Sequence, residues 1–283
     1  MRYEELSLSH KDLLFDRLKN IETKIAEYSF ANLYLFRNNH KYKVLFDKEI
    51  FIEGITYDEK KYIMPTTSIY EIDREYLKNL LQEYDFIFPI DEKWLDYFDE
   101  NFEYFFKDGD TDYIYTVEKI STFKGRKLHK KRNLLKQFVS SYEYEVRPLL
   151  NEYVEDAYNI LDTWLQDVEE LPEDTDYYQC KEALNLMDIL VLCGIIYYAD
   201  GSPAGFFLGE EVDDETFGLH FAKAKREFKG VYQFIYNDFA KRLPKKYKFL
   251  NFEQDLGKRA LRIAKSSYIP DFLYKKYRVS LKK

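Results

Sequence analysis

Residues 193–252 restrict the fold more than any other stretch of the chain. Two strand-like runs, CGIIYY (193–198) and AGFFLGE (204–210), flank Asp200-Gly201, a dipeptide suited to the left-handed conformations of a tight hairpin. A third strand-like run covers 216–223, and a helical pattern over 230–243 stops before Pro244. A short apolar strand follows at 249–252. Hairpin partners run antiparallel, whereas a strand–helix–strand passage returns parallel. The sheet implied is therefore mixed and mostly antiparallel.

A strand at 143–148 and helices at 151–168 and 179–190 precede this block, and a helix at 257–269 and a strand at 277–281 follow it. The second half then reads β-α-α-β-β-β-α-β-α-β. The first half reads as a looser version. A helix over 9–28 is capped by Ser9, with Asp12 three residues on and Leu14, Leu18, Ile21 and Ile25 along one side. Strands are expected at 32–37, 42–46, 49–56 and 61–65, then a helix at 73–84 and a strand at 86–90. A short helix at 91–99, a strand at 113–117 and a helix at 126–141 complete it. The class is α/β of the α+β kind, in two domains, 1–142 and 143–283, a division that a length of 283 residues supports. With 46% hydrophobic and 18% aromatic residues the chain can bury a core and is not a disordered one. The 27 tyrosines and 23 phenylalanines suit an AT-rich genome and carry no functional weight of their own.

Several function classes drop out. The longest apolar run, 189–199, is about half of what a bilayer-spanning helix needs. The charged N-terminus MRYEELSLSH has no apolar core of a signal peptide. Cys180 and Cys193 form no CxxC, and His10, His40, His129 and His220 are scattered, so neither a zinc site nor a disulfide framework is expected. A reducing cytoplasm is the expected location.

Charge is segregated. The net charge is −8, yet KGRKLHKKRNLLK (124–136) holds seven Lys or Arg and no acid. Residues 223–283 hold 18 bases against five acids, while 151–190 hold 12 acids and one base. Such a chain can turn a basic face to a polyanion while acidic surface keeps it dissolved. Ordinary solvated surface also produces charge runs.

The sequence has no GxSxG, HExxH, P-loop or GxGxxG. Its most informative segment is FLNFEQDLGKRALRIAKSSYIP (249–270). There an apolar strand delivers Asn251, Glu253, Gln254 and Asp255 to its C-terminal end, the end that borders ligand crevices in open α/β sheets. Lys258, Arg262 and Lys265 follow at helical spacing on one face. Carboxylates beside a basic helix face could accept a proton and hold phosphate; salt bridges at a strand end would give the same pattern. A second segment, TFGLHFAKAKREFKG (216–230), places Lys223, Lys225, Arg226, Lys229 and Gly230 ahead of a helix N-terminus, an arrangement that can receive an anion. In the third, 124–136, His129 sits among lysines that disfavour its charged form and is given no role.

STFKGRKLHKKRN (121–133) and NFEQDLGKRALRIAKSSYIP (251–270), with the hairpin and strand between them, resemble the signature stretches of the phosphatidylglycerol lysyltransferase C-terminal-domain family. The resemblance spans most of the chain. It implies a tandem pair of GNAT-like acyltransferase folds, each a mixed, mostly antiparallel sheet flanked by helices, related to Fem-type aminoacyl transferases. The implied activity is transfer of an acyl or aminoacyl group, from aminoacyl-tRNA or acyl-CoA, to an amine or hydroxyl, with no tightly bound cofactor and no metal. Glu253 or Asp255 would take the acceptor's proton. Backbone N–H groups near 216–223 would stabilise the oxyanion, and Tyr268 would protonate the leaving group. Lys223, Lys225, Arg226, Lys229 and Gly230 would hold donor phosphates, with Arg262 and Lys265 assisting. Lys124, Arg126, Lys130, Lys131 and Arg132 would extend an anionic track. The phosphate loop of GNAT enzymes carries glycines where Lys229 and Val231 stand here, which leaves a tRNA end at least as suitable as coenzyme A. The first domain, lacking an equivalent of 251–257, is expected to be a scaffold. The alternatives are a non-catalytic tRNA- or RNA-binding module and, ranked last, a peripheral membrane protein.

Overall fold

The computed structural model describes residues 1–282; Lys283, the last of the expected second domain, lies outside the described residues. The first half of the chain runs β1 (Arg2–Glu5), α1 (Lys11–Lys19), α2 (Phe30–His40), β2 (Lys43–Phe46), β3 (Ile50–Ile55), β4 (Lys61–Pro65), α3 (Arg74–Leu80), β5 (Phe86–Asp91), β6 (Phe102–Phe106) and β7 (Asp112–Thr116). Helices α4 (Val117–Thr122) and α5 (His129–Ser141) lead into the second half. That half runs β8 (Tyr144–Pro148), α6 (Val154–Val168), α7 (Tyr177–Asn185), α8 (Met187–Leu190), β9 (Cys193–Ala199), β10 (Ser202–Asp213), β11 (Thr216–Ala224), α9 (Val231–Arg242), β12 (Phe249–Asn251), α10 (Arg259–Ser266), β13 (Phe272–Tyr274) and β14 (Lys276–Leu281).

The two halves repeat one plan. Each opens with a strand and helices, makes a three-stranded antiparallel meander, and crosses through a helix to a parallel strand. Those crossovers are β4–α3–β5 and β11–α9–β12. The sheets are ordered β1-β2-β3-β4-β5-β14-β6 and β13-β7-β12-β11-β10-β9-β8. Both are mixed, mostly antiparallel and flanked by helices, as expected above. The final strand of each half has changed sheets: β14 pairs with β5 and β6, and β7 pairs with β12.

This exchange moves the domain boundary. One compact unit comprises Met1–Tyr113, Glu253–Ile263 and Leu273–Lys283; the other comprises Ile114–Phe252 and Ala264–Phe272. The expected division at 142/143 falls inside the second unit, because α5 packs on α9. The first unit buries Val44, Phe51, Ile52, Ile63, Ile87 and Val279. In the second, α6 and α9 both pack on β10 and β11, over Ile196, Phe206, Leu208 and Leu250.

The hairpin across Asp200 (φ 49°) and Gly201 (φ 76°) forms as expected. Other elements depart from the sequence reading. Residues 32–37, expected as a strand, lie in α2. Ser29 caps this helix by accepting the Asn32 N–H, and every residue from Phe30 to Leu35 is buried, so the continuous apolar run signals burial rather than extension. The helix expected over 9–28 stops at Lys19, and that expected at 91–99 is the 3-10 turn Glu92–Tyr97. The exposed strands β1, β6 and β13 have no counterpart in the sequence pattern. Among the described residues no helix is long and apolar enough to cross a membrane, and no group of three or more His, Cys, Asp or Glu could hold a metal.

Candidate functional site

The chain leaves β12 into the turn 253–257, which belongs to the first unit. Glu253 (φ 58°), Leu256 (φ 55°) and Gly257 (φ 72°) are all left-handed there, a conformation only glycine adopts at no cost. Asp255 holds the turn in that shape. Its carboxylate is fully buried and accepts from the Tyr113 hydroxyl (2.8 Å), the Gly257 N–H (2.8 Å) and Arg262 through Nε (2.7 Å) and Nη2 (3.1 Å). Burial pushes this carboxyl up, but hydrogen bonds from Arg262, Tyr113 and Gly257 outweigh it and hold it below the usual carboxylate range. Asp255 and Arg262, expected as base and phosphate ligand, are here each other's partners. Glu253, the other carboxylate of this segment, is half-buried and receives the Asn32 Nδ2–H on Oε1 (3.0 Å).

Beside Glu253 lies a charged cluster that the sequence reading missed. The Lys276 ammonium, with no accessible surface, donates to Glu27 Oε1 (2.7 Å) and Oε2 (2.8 Å), Asp112 Oδ1 (2.8 Å) and Gln254 Oε1 (2.8 Å). The only signal available was a lysine in a strand-like run, KYRVSL, at a position that alternation could place inward. Arg278, two residues on, is equally buried and bonds Asp58 (2.9 and 3.0 Å) and Asp110 (2.9 Å) over the rings of Phe86 and Phe88. It lines an open hollow of about 950 Å³ together with Asp58, Lys107 and Phe105, and the walls of that hollow do not include Glu253.

The second unit holds the remaining expected residues. Lys223 is buried; its ammonium bonds Asp176 (2.5 Å) and lies 3.5 Å over the Trp164 ring. Lys225 is buried against Asn159 (2.7 Å). Both ammonium groups turn onto the acidic α6–α7 segment instead of lining an open anion site. Arg226 and Lys229 are exposed, and their backbone N–H groups donate to Asp167 (2.8 Å) and the Tyr142 hydroxyl (3.2 Å). Gly230 caps α9 at φ 89°, and a Cβ there would sit 2.2 Å from the Leu134 carbonyl oxygen, so close packing on α5 accounts for this glycine. Tyr268 is buried and its hydroxyl accepts the Gln233 Nε2–H (2.9 Å). Lys265, in the last turn of α10, gives its carbonyl to the Tyr115 hydroxyl (2.7 Å).

The basic run forms the start of α5 and the turn before it. Lys124, Arg126, Lys127, Lys130 and Lys136 are exposed. Arg132 donates to the carbonyls of Phe123 and Gly125. Lys131 donates to Ser267 Oγ (2.7 Å) and lies 3.8 Å over the Tyr268 ring. Burial pulls its ammonium down to about 8, against the attraction of the ring face. Among the described residues none of these seven cations has a carboxylate partner, unlike Lys223 or Lys276.

The profile of the phosphatidylglycerol lysyltransferase, C-terminal, family matches residues 18–280. An uncharacterised protein of Mycoplasmoides gallisepticum is 27% identical over 186 residues, covering 62% of this chain and 57% of its own length. The chain thus spans little more than half of that relative. A conserved protein of unknown function from Bacteroides thetaiotaomicron superimposes with TM-score 0.85 at 24% identity, covering both chains completely. The C-terminal domain of a candidate lysylphosphatidylglycerol synthetase from Agrobacterium fabrum does so with TM-score 0.61 at 14% identity, covering 98% of this chain and 93% of that one.

Proposed function

Because the chain belongs to the phosphatidylglycerol lysyltransferase C-terminal family, we propose that it moves an acyl or aminoacyl group from a phosphate-bearing donor to an amine or hydroxyl acceptor. The observation that carries this reading is the placement of Glu253 on a strained turn, clamped by Asp255 and Arg262 and steered by Asn32. Strain maintained by surrounding contacts is common where a side chain must be held for chemistry.

In the proposed step the acceptor nitrogen or oxygen attacks the donor's acyl carbon. A C–N or C–O bond forms, the ester C–O or thioester C–S bond breaks, and the acceptor's proton passes to Glu253 and on to the leaving oxygen or sulfur. Direct transfer needs no covalent enzyme intermediate and no tightly bound cofactor, since holding the reactants in line supplies much of the acceleration. Aminoacyl-tRNA is the favoured donor. The cations at 124–136, which among the described residues have no carboxylate partner, suit a polyanion, whereas Lys223 and Lys225 are committed to Asp176 and Asn159. A cytoplasmic location follows from such a donor.

Glu253→Gln tests the reading. Mass spectrometry of acceptor mixtures incubated with charged tRNA, or with acetyl-CoA, should show product with the wild-type protein and a loss of about a hundredfold or more with the variant, the range of a lost general base. Undiminished turnover in Glu253→Gln removes this residue from the mechanism. A second reading, RNA binding without chemistry, is favoured by the same cations. It requires affinity that falls roughly tenfold or more between about 50 and 200 mM salt, with no product formed by any variant.

A further inference from the structure

A sheet edge is a row of unpaired backbone groups, and three of the four edges among the described residues are blunted against pairing. β1 carries Arg2, Glu4 and Glu5 in four residues, and β8 carries Glu145, Arg147 and Pro148 in five. β13 is three residues long and lies between Asp271 and Lys275. β6, FEYFF, is different. Glu103 is its one charge, and it exposes Tyr104 (53%), Phe105 (45%) and Phe106 (37%).

The backbone of β6 has a definite outer side. The Lys282 N–H donates to the Asn101 carbonyl (2.8 Å), and the same register continues through Glu103 opposite Ser280 and Phe105 opposite Arg278. Alternate pairs of an antiparallel ladder carry its hydrogen bonds, so Glu103 and Phe105 bond to β14. Tyr104 and Phe106 therefore turn their N–H and C=O groups away from the sheet. The Phe102 N–H donates to the Asp99 carbonyl (3.1 Å), which leaves Tyr104 and Phe106 to extend the ladder.

Two copies of β6 related by a twofold axis run antiparallel, and the residue on the axis fixes every pairing. With Phe105 there, Tyr104 meets Phe106 of the second copy and the reverse, so both outward-facing residues of each copy exchange hydrogen bonds. The same register sets Glu103 opposite Lys107 of the second copy, twice, in the pairs without ladder bonds, where side chains lie closest. Moving the axis one residue either way breaks both ion pairs. Glu103 is exposed and accepts the Ser280 hydroxyl at 3.4 Å. Lys107 holds Asp58 (2.7 Å) yet keeps 46% of its side-chain surface, and an ammonium has further N–H groups to give.

We propose that β6 is the seam of a reversible homodimer, in which two copies pair antiparallel about Phe105 and join their first sheets into one. The proposal is independent of the transfer reading. The three half-exposed rings lose roughly 300 Å² per copy. That is less than the about 800 Å² per partner of a standard interface, so the dimer is weak, with a dissociation constant of roughly 10 to 100 µM.

Sedimentation velocity of the 283-residue chain between about 2 and 500 µM tests this. The wild-type protein should pass from one chain to two across that range. Tyr104→Pro removes an N–H that faces out of the sheet; it should keep the wild-type circular dichroism and weaken the dimer about tenfold or more. Glu103→Lys and Lys107→Glu, each alone, set like charges opposite one another and should weaken it about tenfold. An equimolar mixture of the two restores complementary pairs and should dimerise as tightly as wild type. A wild-type protein that stays a single chain throughout overturns the proposal. So does a Tyr104→Pro or Glu103→Lys dimer as tight as wild type, which would place the contact on another face. A mixture no tighter than its components overturns the register. Lys107→Glu also loses its bond to Asp58; if circular dichroism shows that variant unfolded, Tyr104→Pro and Glu103→Lys decide the matter without it.

Discussion

Two carboxylates in the first unit give opposite pH responses. Asp255 is held below its ordinary value by Arg262, Tyr113 and the Gly257 N–H once burial is overcome, so its stabilisation is complete above the unfolded value near 4 and disappears as pH falls through the lower native value. Asp255→Asn should cost about 2 kcal/mol at neutral pH in urea unfolding, less than a fully buried pair because the Arg262 side chain is half exposed, and should flatten the acid limb of the stability curve. An unchanged midpoint would show that the clamp adds nothing. Glu27 behaves in reverse. Its native value near 7 lies above the unfolded one, so stability declines as pH rises from the unfolded value through 7, by up to about 3 kcal/mol. Thermal melts of Glu27→Gln should lack that decline. At this scale Glu253 and Asp255 could be read from the sequence as a pair of acids after a strand, but their different roles could not. That difference arises from Tyr113 and Asn32, more than a hundred residues away. Lys276 and Glu27 are 249 positions apart, a separation that no local pattern encodes.

At the scale of elements, hairpins and crossovers were legible where the signal was local. Asp200-Gly201 dictates its turn through backbone conformation alone. Two failures have different causes. Residues 30–40 carry an apolar run without clear period, and the deciding fact, the Ser29 side chain on the Asn32 N–H, is a single hydrogen bond. In the basic loop before α9, cations preceding a helix point to an anion site. Instead, Lys223 and Lys225 point into α6 and α7, whose acidic composition offered the counter-signal. Gly230 tests the revised view. With φ at 89° and a Leu134 carbonyl 2.2 Å from any added Cβ, Gly230→Ala should cost at least about 2 kcal/mol and lower the melting temperature by several degrees. A glycine kept only for anion access would be replaced with little change in melting.

At the scale of the whole molecule, the sequence shows two copies of one plan but not the exchange between them, because β7 and β14 are short strands with nothing in their composition to name a partner. The exchange has a physical consequence. In the first sheet β6 reaches β5 only through β14, so residues 1–142 lack the strand that joins them. They also lack Lys276, the buried ammonium that Glu27 and Asp112 share. In the same fragment β7 has lost β12, its partner in the second sheet, and stands as an unpaired edge, which invites aggregation. The expected domain 1–142, expressed alone, should therefore give no cooperative unfolding transition, by circular dichroism or by tryptophan fluorescence from Trp94. Adding residues 253–283 in trans should restore one, since they carry β14 together with the 253–257 turn. A fragment 1–142 that unfolds cooperatively without them would mean that the strand exchange contributes little to the first unit's stability, and that the division at 142/143 describes folding better than the sheet topology does.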